Sequence, residues 1–530
     1  MMSEINIIVD AIGNILWQYV LVVLLVGTGV YLTYRMGGIQ FRGLRHGFRL
    51  IRGVYAKKDD QGDLSHFQAL STALAATVGV GNIAGVAIAI RWGGPGALFW
   101  MWVTAVVGMA TKFTSCTLAV KYRQINPDGT VSGGPMYFIE KGLGKKGSSS
   151  KTGTDAESTS NNWKWMAVAF AVLAGLGSFG AGCMAQAGEF TRAFLALFPS
   201  PYPSETLGAG IVFEVGKNFD PAALGFFERL GADIVRYPYH YHFAAGLFMA
   251  IMVGIVIIGG IRRIGEVTSR LVPFMAVFYV LAALSIIILN ITEVPSAFAL
   301  IFHDAFTGTA ATGGFAGSAF LYTLQIGVRR GLFSNESGQG SAPIAHATAR
   351  TPYPVREGYV ALLEPFIDTI LICTLTGLVI ILTGAWNVHG QIGGADLTAY
   401  AFRVGLGNLH DLADESRLGR LLVTFGVILF AYSTSLSWSY YGDRCMSYLF
   451  GLRAIKPYRF IFCVFLVVGA TIKIDLVWNL CDIMNGGMAI PNLIALILLS
   501  GVVVKELKEY KARIPEFDRD IDKKKKAEFR

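Results

Sequence analysis

Residues 76–85 read A-T-V-G-V-G-N-I-A-G, inside a run that carries no charge from Gln68 to Ile90. Three glycines and an asparagine stand where an apolar helix should run. A helix interrupted here frees amides at the start of one half and carbonyls at the end of the other. In hydrocarbon each freed group costs several kcal/mol unless something satisfies it. The amides, helped by the helix dipole, suit an anionic group, and the carbonyls suit a cation. Gly79, Gly81 and Gly85 remove side chains where backbone and ligand approach closely. Asn82 adds an amide donor or an oxygen ligand. Residues 79–84 also fit the G-x-G-x-x-A pattern of dinucleotide sites. No βαβ unit surrounds them and no acid lies about twenty residues on, so that reading fails.

The elements that must position this stretch are membrane spans. The chain has 530 residues, 53% hydrophobic and 15% charged, whereas a soluble domain carries about 25% charge. A bilayer core needs about 20 apolar residues per helix. Eleven stretches qualify, at roughly 12–34, 68–91, 94–119, 164–191, 243–261, 268–292, 295–324, 357–384, 417–441, 456–472 and 476–504. The net charge of +9 follows the positive-inside rule rather than a nucleic-acid face. Arg35, Arg42, Arg45, Arg49, Arg52, Lys57 and Lys58 fill the loop after the first span. Alternation then places Arg262, Arg263, Arg270, Arg329, Arg330, Arg350, Arg356, Arg444, Arg453, Lys456 and the Lys523–Lys526 run on the same, cytoplasmic side. The N-terminus falls outside and the C-terminus inside. Six cysteines lie in or beside apolar spans with no CxxC pair, so they act as small apolar residues. Residues 144–162 form a low-complexity, flexible insert, and 196–242 an external loop that caps the core or serves as a lid.

Ten spans after the first divide five plus five. Transporters built from inverted repeats have odd-numbered halves, because each half starts on the opposite side. The first span of the second half should then be broken like 68–91. The stretch A-A-T-G-G-F-A-G, residues 310–317 within 295–324, meets that expectation. Two glycine-broken spans in corresponding positions point to a midplane binding site. A zwitterion together with a monovalent cation matches the freed groups.

Four segments then carry a resemblance: G-G-P-G-A-L-F-W-M-W-V-T-A-V-V-G at 93–108, A-T-V-G-V-G-N-I-A-G at 76–85, G-L-F-S-N-E-S-G-Q-G-S-A-P-I-A-H-A at 331–347, and F-A-Y-S-T-S-L-S-W-S-Y-Y-G at 430–442. Over nearly the whole chain the sequence resembles the alanine or glycine:cation symporters, the sodium:alanine symporter family of the amino-acid–polyamine–cation superfamily. The resemblance implies an all-α polytopic membrane protein of eleven transmembrane helices. One extra N-terminal helix precedes a five-plus-five inverted repeat of the neurotransmitter:sodium symporter kind. Residues 1–65 then hold the extra helix and a basic loop, 66–292 and 293–504 the two repeats, and 505–530 a charged cytoplasmic tail. The implied activity is Na⁺- or H⁺-coupled uptake of small neutral amino acids across a prokaryotic inner membrane.

By the same resemblance, the backbone of Thr77, Gly79 and Gly81 holds the substrate carboxylate, and the carbonyls of Ala75 and Val78 face Na⁺. Ser433 and Thr434 are the hydroxyl pair that completes the ion site, with Ser435 and Ser437 as alternatives. Asn82 matches a second-ion ligand of the related symporters, and Gln186 a substrate contact. Trp438, one helical turn after Thr434, could floor a pocket too small for large side chains. Phe315 could help close it. Asp368, Glu189 and Asp482 are ionisable residues at or near membrane depth, which are functional candidates by default. A salt bridge is the competing role for Asp368. Lys112 is expected to snorkel or to pair with an acid. The N-E-S-G-Q-G motif and His346 fall in a cytoplasmic loop on this topology and read as a gate or a loop scaffold. A membrane transferase would cluster carboxylates or histidines at one membrane face, and the sequence shows no such cluster. A channel would show pore rings, also absent. No enzymatic activity, organic cofactor or nucleic-acid partner is expected. The partners are a small neutral amino acid and the lipid bilayer.

Overall fold

The computed structural model describes residues 13, 16–57, 59–144, 162–198, 239–307, 316–387, 393–407, 415–472 and 474–528. Their regular structure is helical apart from one antiparallel hairpin, Gln124–Ile125 (β1) with Val131–Ser132 (β2). The helices run α1 Val22–Arg35, α2 Ile39–Ile51, α3 His66–Thr77, α4 Gly81–Gly93, α5 Ala97–Lys121, α6 Lys164–Leu195, α7 Tyr239–Ile257 and α8 Gly260–Leu289. They continue as α9 Val294–Thr307, α10 Ala316–Asn335, α11 Ala342–His346, α12 Pro354–Leu382, α13 Gly394–Leu406, α14 Glu415–Phe450, α15 Ile455–Thr471 and α16 Ile474–Glu528.

Among the described residues, eight helices are long and apolar enough to cross a bilayer. Two bent pairs, α1–α2 at 78° and α3–α4 at 52°, satisfy the same criterion when taken together. The protein is therefore all-helical and polytopic. Burial divides the helices by role. α5 is buried along almost its whole length and packs against α1, α10 and α12 at the centre. α7 and α8 instead expose Phe248, Ile251, Ile255, Phe274, Val277 and Leu281, a surface that hydrocarbon rather than water would cover.

The segment expected as a basic loop after the first span is largely helical. α2 buries Ile39, Gly43, Gly47 and Leu50 while Arg42, Arg45 and Arg49 lie on its other side. Its glycines bring the backbone onto α12, since a Cβ on Gly47 would stand 2.5 Å from the Tyr359 carbonyl oxygen. The C-terminal part of α16 docks on the same end of the bundle. Asp518 accepts from Arg49 Nη2 at 2.6 Å, and His46 Nε2 lies 2.9 Å from the Tyr510 hydroxyl.

The expected span 295–324 falls on α9 and α10, and most of its glycine stretch lies outside the described residues. α9 and α10 are separate helices. α9 is seated on the G-G-P-G turn: Asp304 Oδ2 accepts from the Gly96 amide at 2.7 Å, and Trp100 Nε1 donates to the Ala305 carbonyl at 3.0 Å. α10 instead continues to Asn335, turns, and resumes as α11. Among the described residues, α10–α11 is a further discontinuous helix, with its break at residues 336–341. Residues 310–315, including Phe315, lie outside the described residues, as do 145–161 and 199–238 of the two inserts. Arg329, assigned to a cytoplasmic loop by alternation, sits on α10 instead. It is paired with Asp482 at 2.5 Å and lies over the Trp17 ring.

Candidate binding site at the two helix breaks

α3 opens with a capping box. The Ser65 hydroxyl accepts from the Gln68 amide and the Gln68 side chain accepts from the Ser65 amide. It stops at Thr77 because the ladder is diverted. The Gly79 amide, which would bond the Ala75 carbonyl in a continuous helix, donates to Asn82 Oδ1 at 2.8 Å. Val78 leaves helical geometry at ψ 86°. The Ala75 carbonyl therefore loses its partner four residues on, and Gly81 begins a new helix in which the Asn82 amide bonds the Gly79 carbonyl at 3.1 Å.

Asn82 does not line the resulting cavity. Its Nδ2 donates to Asp368 Oδ1 at 2.6 Å and to the Asp368 carbonyl at 3.1 Å, and it lies 3.2 Å from Ser334 Oγ. Asp368 also accepts from Ser334 Oγ at 2.8 Å and Thr369 Oγ1 at 2.7 Å. Asn82 thus fixes the shape of the first break and ties it to α10 and α12. Asp368 meets hydroxyl and amide donors, and no cation pairs with it among the described residues.

The second break is built differently. Asn335 Oδ1 accepts from the Ser337 amide at 3.0 Å, turning the chain out of α10. Glu336, Gly338 and Gly340 have φ values of 52°, 91° and 95°. Glycine is required at the last two by conformation and by space. A Cβ on Gly338 would stand 2.4 Å from Leu25, and one on Gly340 2.8 Å from Phe170. Glu336 is the one described non-glycine residue with positive φ, a strain that clusters at functional sites.

The two broken helices meet with their halves paired crosswise: α10 packs on α4, and α11 packs on α3. Between the breaks lies a small cavity of about 30 Å³. Its lining includes Thr77, Gly79 and Gly81 from the first break, with Phe333, Ser334, Glu336 and Gln339 from the second. Gln186, Thr434, Trp438 and Asn485 complete it from α6, α14 and α16. Thr434 comes closest to the first break, since a Cβ on Gly79 would stand 2.8 Å from its Oγ1. That hydroxyl is buried and has no hydrogen-bond partner. Thr77 Oγ1 points back toward the Ala73 carbonyl at 3.4 Å.

The remaining expected ion ligands are placed as follows. Ala75 and Val78 are fully buried beside the break. Ser433 donates to the Phe430 carbonyl at 3.0 Å on its own helix, so it does not share the orientation of Thr434. Ser437 donates to the Thr72 carbonyl at 2.6 Å and pins α14 to α3, and Ser435 donates to Ala431 at 3.1 Å. Trp438 donates from Nε1 to Glu336 Oε1 at 3.2 Å. Gln186 Nε2 donates to the Ala181 carbonyl at 3.0 Å, leaving its oxygen without a partner.

Glu336, Gln339 and Asn485 belong to the cavity and are missed by hydropathy reasoning, which places N-E-S-G-Q-G in a loop. The available signal was the motif's own composition, two glycines and four polar side chains between apolar flanks. Arg329 and Arg330, counted as inside charges, masked it.

A buried ionic chain links the two broken helices. Lys112 Nζ donates to Glu364 Oε1 at 2.7 Å, and Glu364 Oε2 lies 3.6 Å from His346 Nε2. His346 Nδ1 lies 2.7 Å from Glu357 Oε1, and the second oxygen of Glu357 is bonded to His66 Nδ1. One carboxylate thereby joins the first residue of α3 to the last residue of α11. Backbone pairing reinforces the joint: the Asp63 amide donates to the Thr348 carbonyl at 2.8 Å, and the Arg350 amide to Leu64 at 2.7 Å.

Comparison with known proteins places this architecture. Residues 2–525 match the sequence profile of the sodium:alanine symporter family. An uncharacterized transporter of Haemophilus influenzae is 42% identical over 518 residues, covering 97% of this chain and 98% of that protein. The sodium/alanine symporter AgcS of Methanococcus maripaludis is 42% identical over 507 residues, 95% of this chain and 96% of its own. The probable sodium/glutamine symporter GlnT of Bacillus subtilis is 34% identical over 504 residues, 95% and 90% of the two chains. Among solved structures, a manganese transporter mutant of Eremococcus coleocola aligns with a TM-score of 0.46 at 11% identity, over 83% of this chain and 85% of that one. With a profile match and relatives that run almost end to end, the chain belongs to the sodium:alanine symporter family, and it is a multi-pass, sodium-coupled amino-acid transporter rather than an enzyme.

Proposed function

We propose that the protein imports a small neutral amino acid, alanine or glycine, together with Na⁺, by alternating access around the cavity between the two helix breaks. The observation that carries this reading is that both discontinuous helices break against one small cavity. A backbone-lined break there faces a buried, unpartnered threonine hydroxyl. The substrate carboxylate sits at the Thr77–Gly81 break. The Gly79 amide is engaged by Asn82, so the amides that open α4, at Val80 and Gly81, are the donors. The released carbonyls at Ala75 and Val78, with Thr434 Oγ1, supply oxygen ligands for Na⁺, and Ser433 joins them by a change of rotamer. Gln186 and Trp438 bound the substrate on the far side. Trp438 in the wall leaves little room for a large side chain.

On this reading eleven crossings form one N-terminal helix plus two five-helix repeats, 66–292 and 293–504. The broken helix of the second repeat is α10–α11. The basic end that gathers α2, Arg350, Arg356 and the C-terminal helix faces the cytoplasm, as the positive-inside rule requires. Na⁺ beside the carboxylate adds Coulomb energy on the order of a few kcal/mol at an effective dielectric near 20. Na⁺ and substrate then raise each other's affinity by the same factor. Counterflow from proteoliposomes tests the reading with a panel of glycine, L-alanine, D-alanine, serine and glutamine, with and without Na⁺. Exchange of the small members that requires Na⁺ supports it, and exchange of none of them refutes it.

A further inference from the structure

Glu336 is a carboxylate in the cavity wall, 6% exposed. Its Oε1 accepts from Trp438 Nε1 and its Oε2 accepts from Ser341 Oγ. No lysine, arginine or histidine pairs with it among the described residues, and Lys112 is committed to Glu364. A buried anion without a counter-charge is costly. The chain nevertheless holds this one in left-handed backbone geometry, at φ 52°. Around it, the cavity's unsatisfied side-chain atoms are all oxygens: Gln186 Oε1, Gln339 Oε1, Asn485 Oδ1 and Thr434 Oγ1. The orientation of two of these amides is set by their nitrogens, which donate to the Ala181 and Leu332 carbonyls. The wall therefore offers acceptors and one negative charge, and what it lacks is a positively charged donor.

We propose that Glu336, with the amide oxygens of Gln186, Gln339 and Asn485, forms the subsite that receives the substrate's ammonium group. This rests on reading the cavity as an amino-acid site. The zwitterion spans the cavity, its carboxylate on the amides that open α4 and its ammonium against the second break. An ammonium has three donors to give to these acceptors. A 2-hydroxy acid of the same size supplies one donor and sets a net negative charge against Glu336. The subsite thus selects amines over alcohols independently of side-chain size.

The test is competition against labelled alanine by unlabelled alanine and by lactate, in wild type and in E336Q, with a Na⁺ titration of both. Wild type should bind alanine more tightly than lactate by roughly 10- to 100-fold. E336Q should weaken alanine by a similar factor, leave lactate unchanged or tighter, and keep the Na⁺ dependence. E336D should preserve the preference. Equal binding of alanine and lactate by wild type overturns the proposal without any variant. Unchanged alanine affinity in E336Q overturns it as well. A shifted Na⁺ requirement with the amine preference intact would assign Glu336 to the ion instead. If wild type bound no small amino acid, the functional reading itself would fail.

Discussion

The two helix breaks solve the same problem with opposite means. At the first, side chains are withdrawn: Gly79 and Gly81 leave bare backbone, and Asn82 reaches back to hold the shape. At the second, side chains are supplied: Glu336 and Gln339 enter the cavity, while Gly338 and Gly340 serve only to let the chain turn between Leu25 and Phe170. The difference teaches how a small cavity discriminates. A bare backbone recognises the carboxylate that every amino acid shares. Placed side chains recognise the rest. Yet the two breaks are not independent, because Glu357 bonds His66 of one helix and His346 of the other.

The comparison breaks most readily at Gly79. Gly79→Val should abolish uptake while membrane insertion continues, because even a Cβ would stand 2.8 Å from Thr434 Oγ1. Uptake near the wild-type rate would remove the first break from the site. The joint between the breaks comes next. Glu357→Gln leaves two buried imidazoles against an amide, and removing one partner of a buried charge network costs about 3–5 kcal/mol. Thermal melting in detergent should show a large loss, and an unchanged midpoint would mean the helices are not held together through this carboxylate.

A smaller effect sharpens the ion side. Thr434→Ala should raise the Na⁺ concentration for half-maximal uptake by about 10-fold, the scale of one hydrogen-bond-strength ligand, and Thr434→Ser should restore it. Unaltered Na⁺ dependence in the alanine variant would point to another hydroxyl. The smallest effect lies at the periphery. Arg49 and the Tyr55 hydroxyl hold the Asp518 carboxyl below its usual range. A lowered folded-state pKa contributes stability that is present above the unfolded value of about 3.9 and is lost as pH falls through the folded value. Both partners are well exposed, so Asp518→Asn at neutral pH should cost no more than about 1 kcal/mol. A larger loss would make the tail an integral part of the bundle.

Much of this was legible in the residues. The uncharged run around A-T-V-G-V-G-N marked the first break, because glycine in a membrane-grade helix has few other uses. Lys112 at membrane depth was expected to snorkel or to pair with an acid, and it pairs with Glu364. The second break was not legible, for a physical reason. Hydropathy averages over about 20 residues, and a polar stretch buried at a binding site has the same average as a loop. Arg329 strengthened that misreading, since its pairing with Asp482 cannot be seen along the chain. Most of A-A-T-G-G-F-A-G lies outside the described residues, and the break that lines the cavity is the one at 336–341. The role of Asn82 was half legible. Its place in the break followed from spacing, but its grip on Asp368 joins residues far apart in sequence.

The central claim is that the two breaks enclose a site shared by a small amino acid and Na⁺. Accumulation of labelled alanine in proteoliposomes under an inward Na⁺ gradient tests it most directly. Concentrative uptake that collapses when the gradient is dissipated is the predicted result, and absence of accumulation of alanine and glycine under either a Na⁺ or a H⁺ gradient would contradict it.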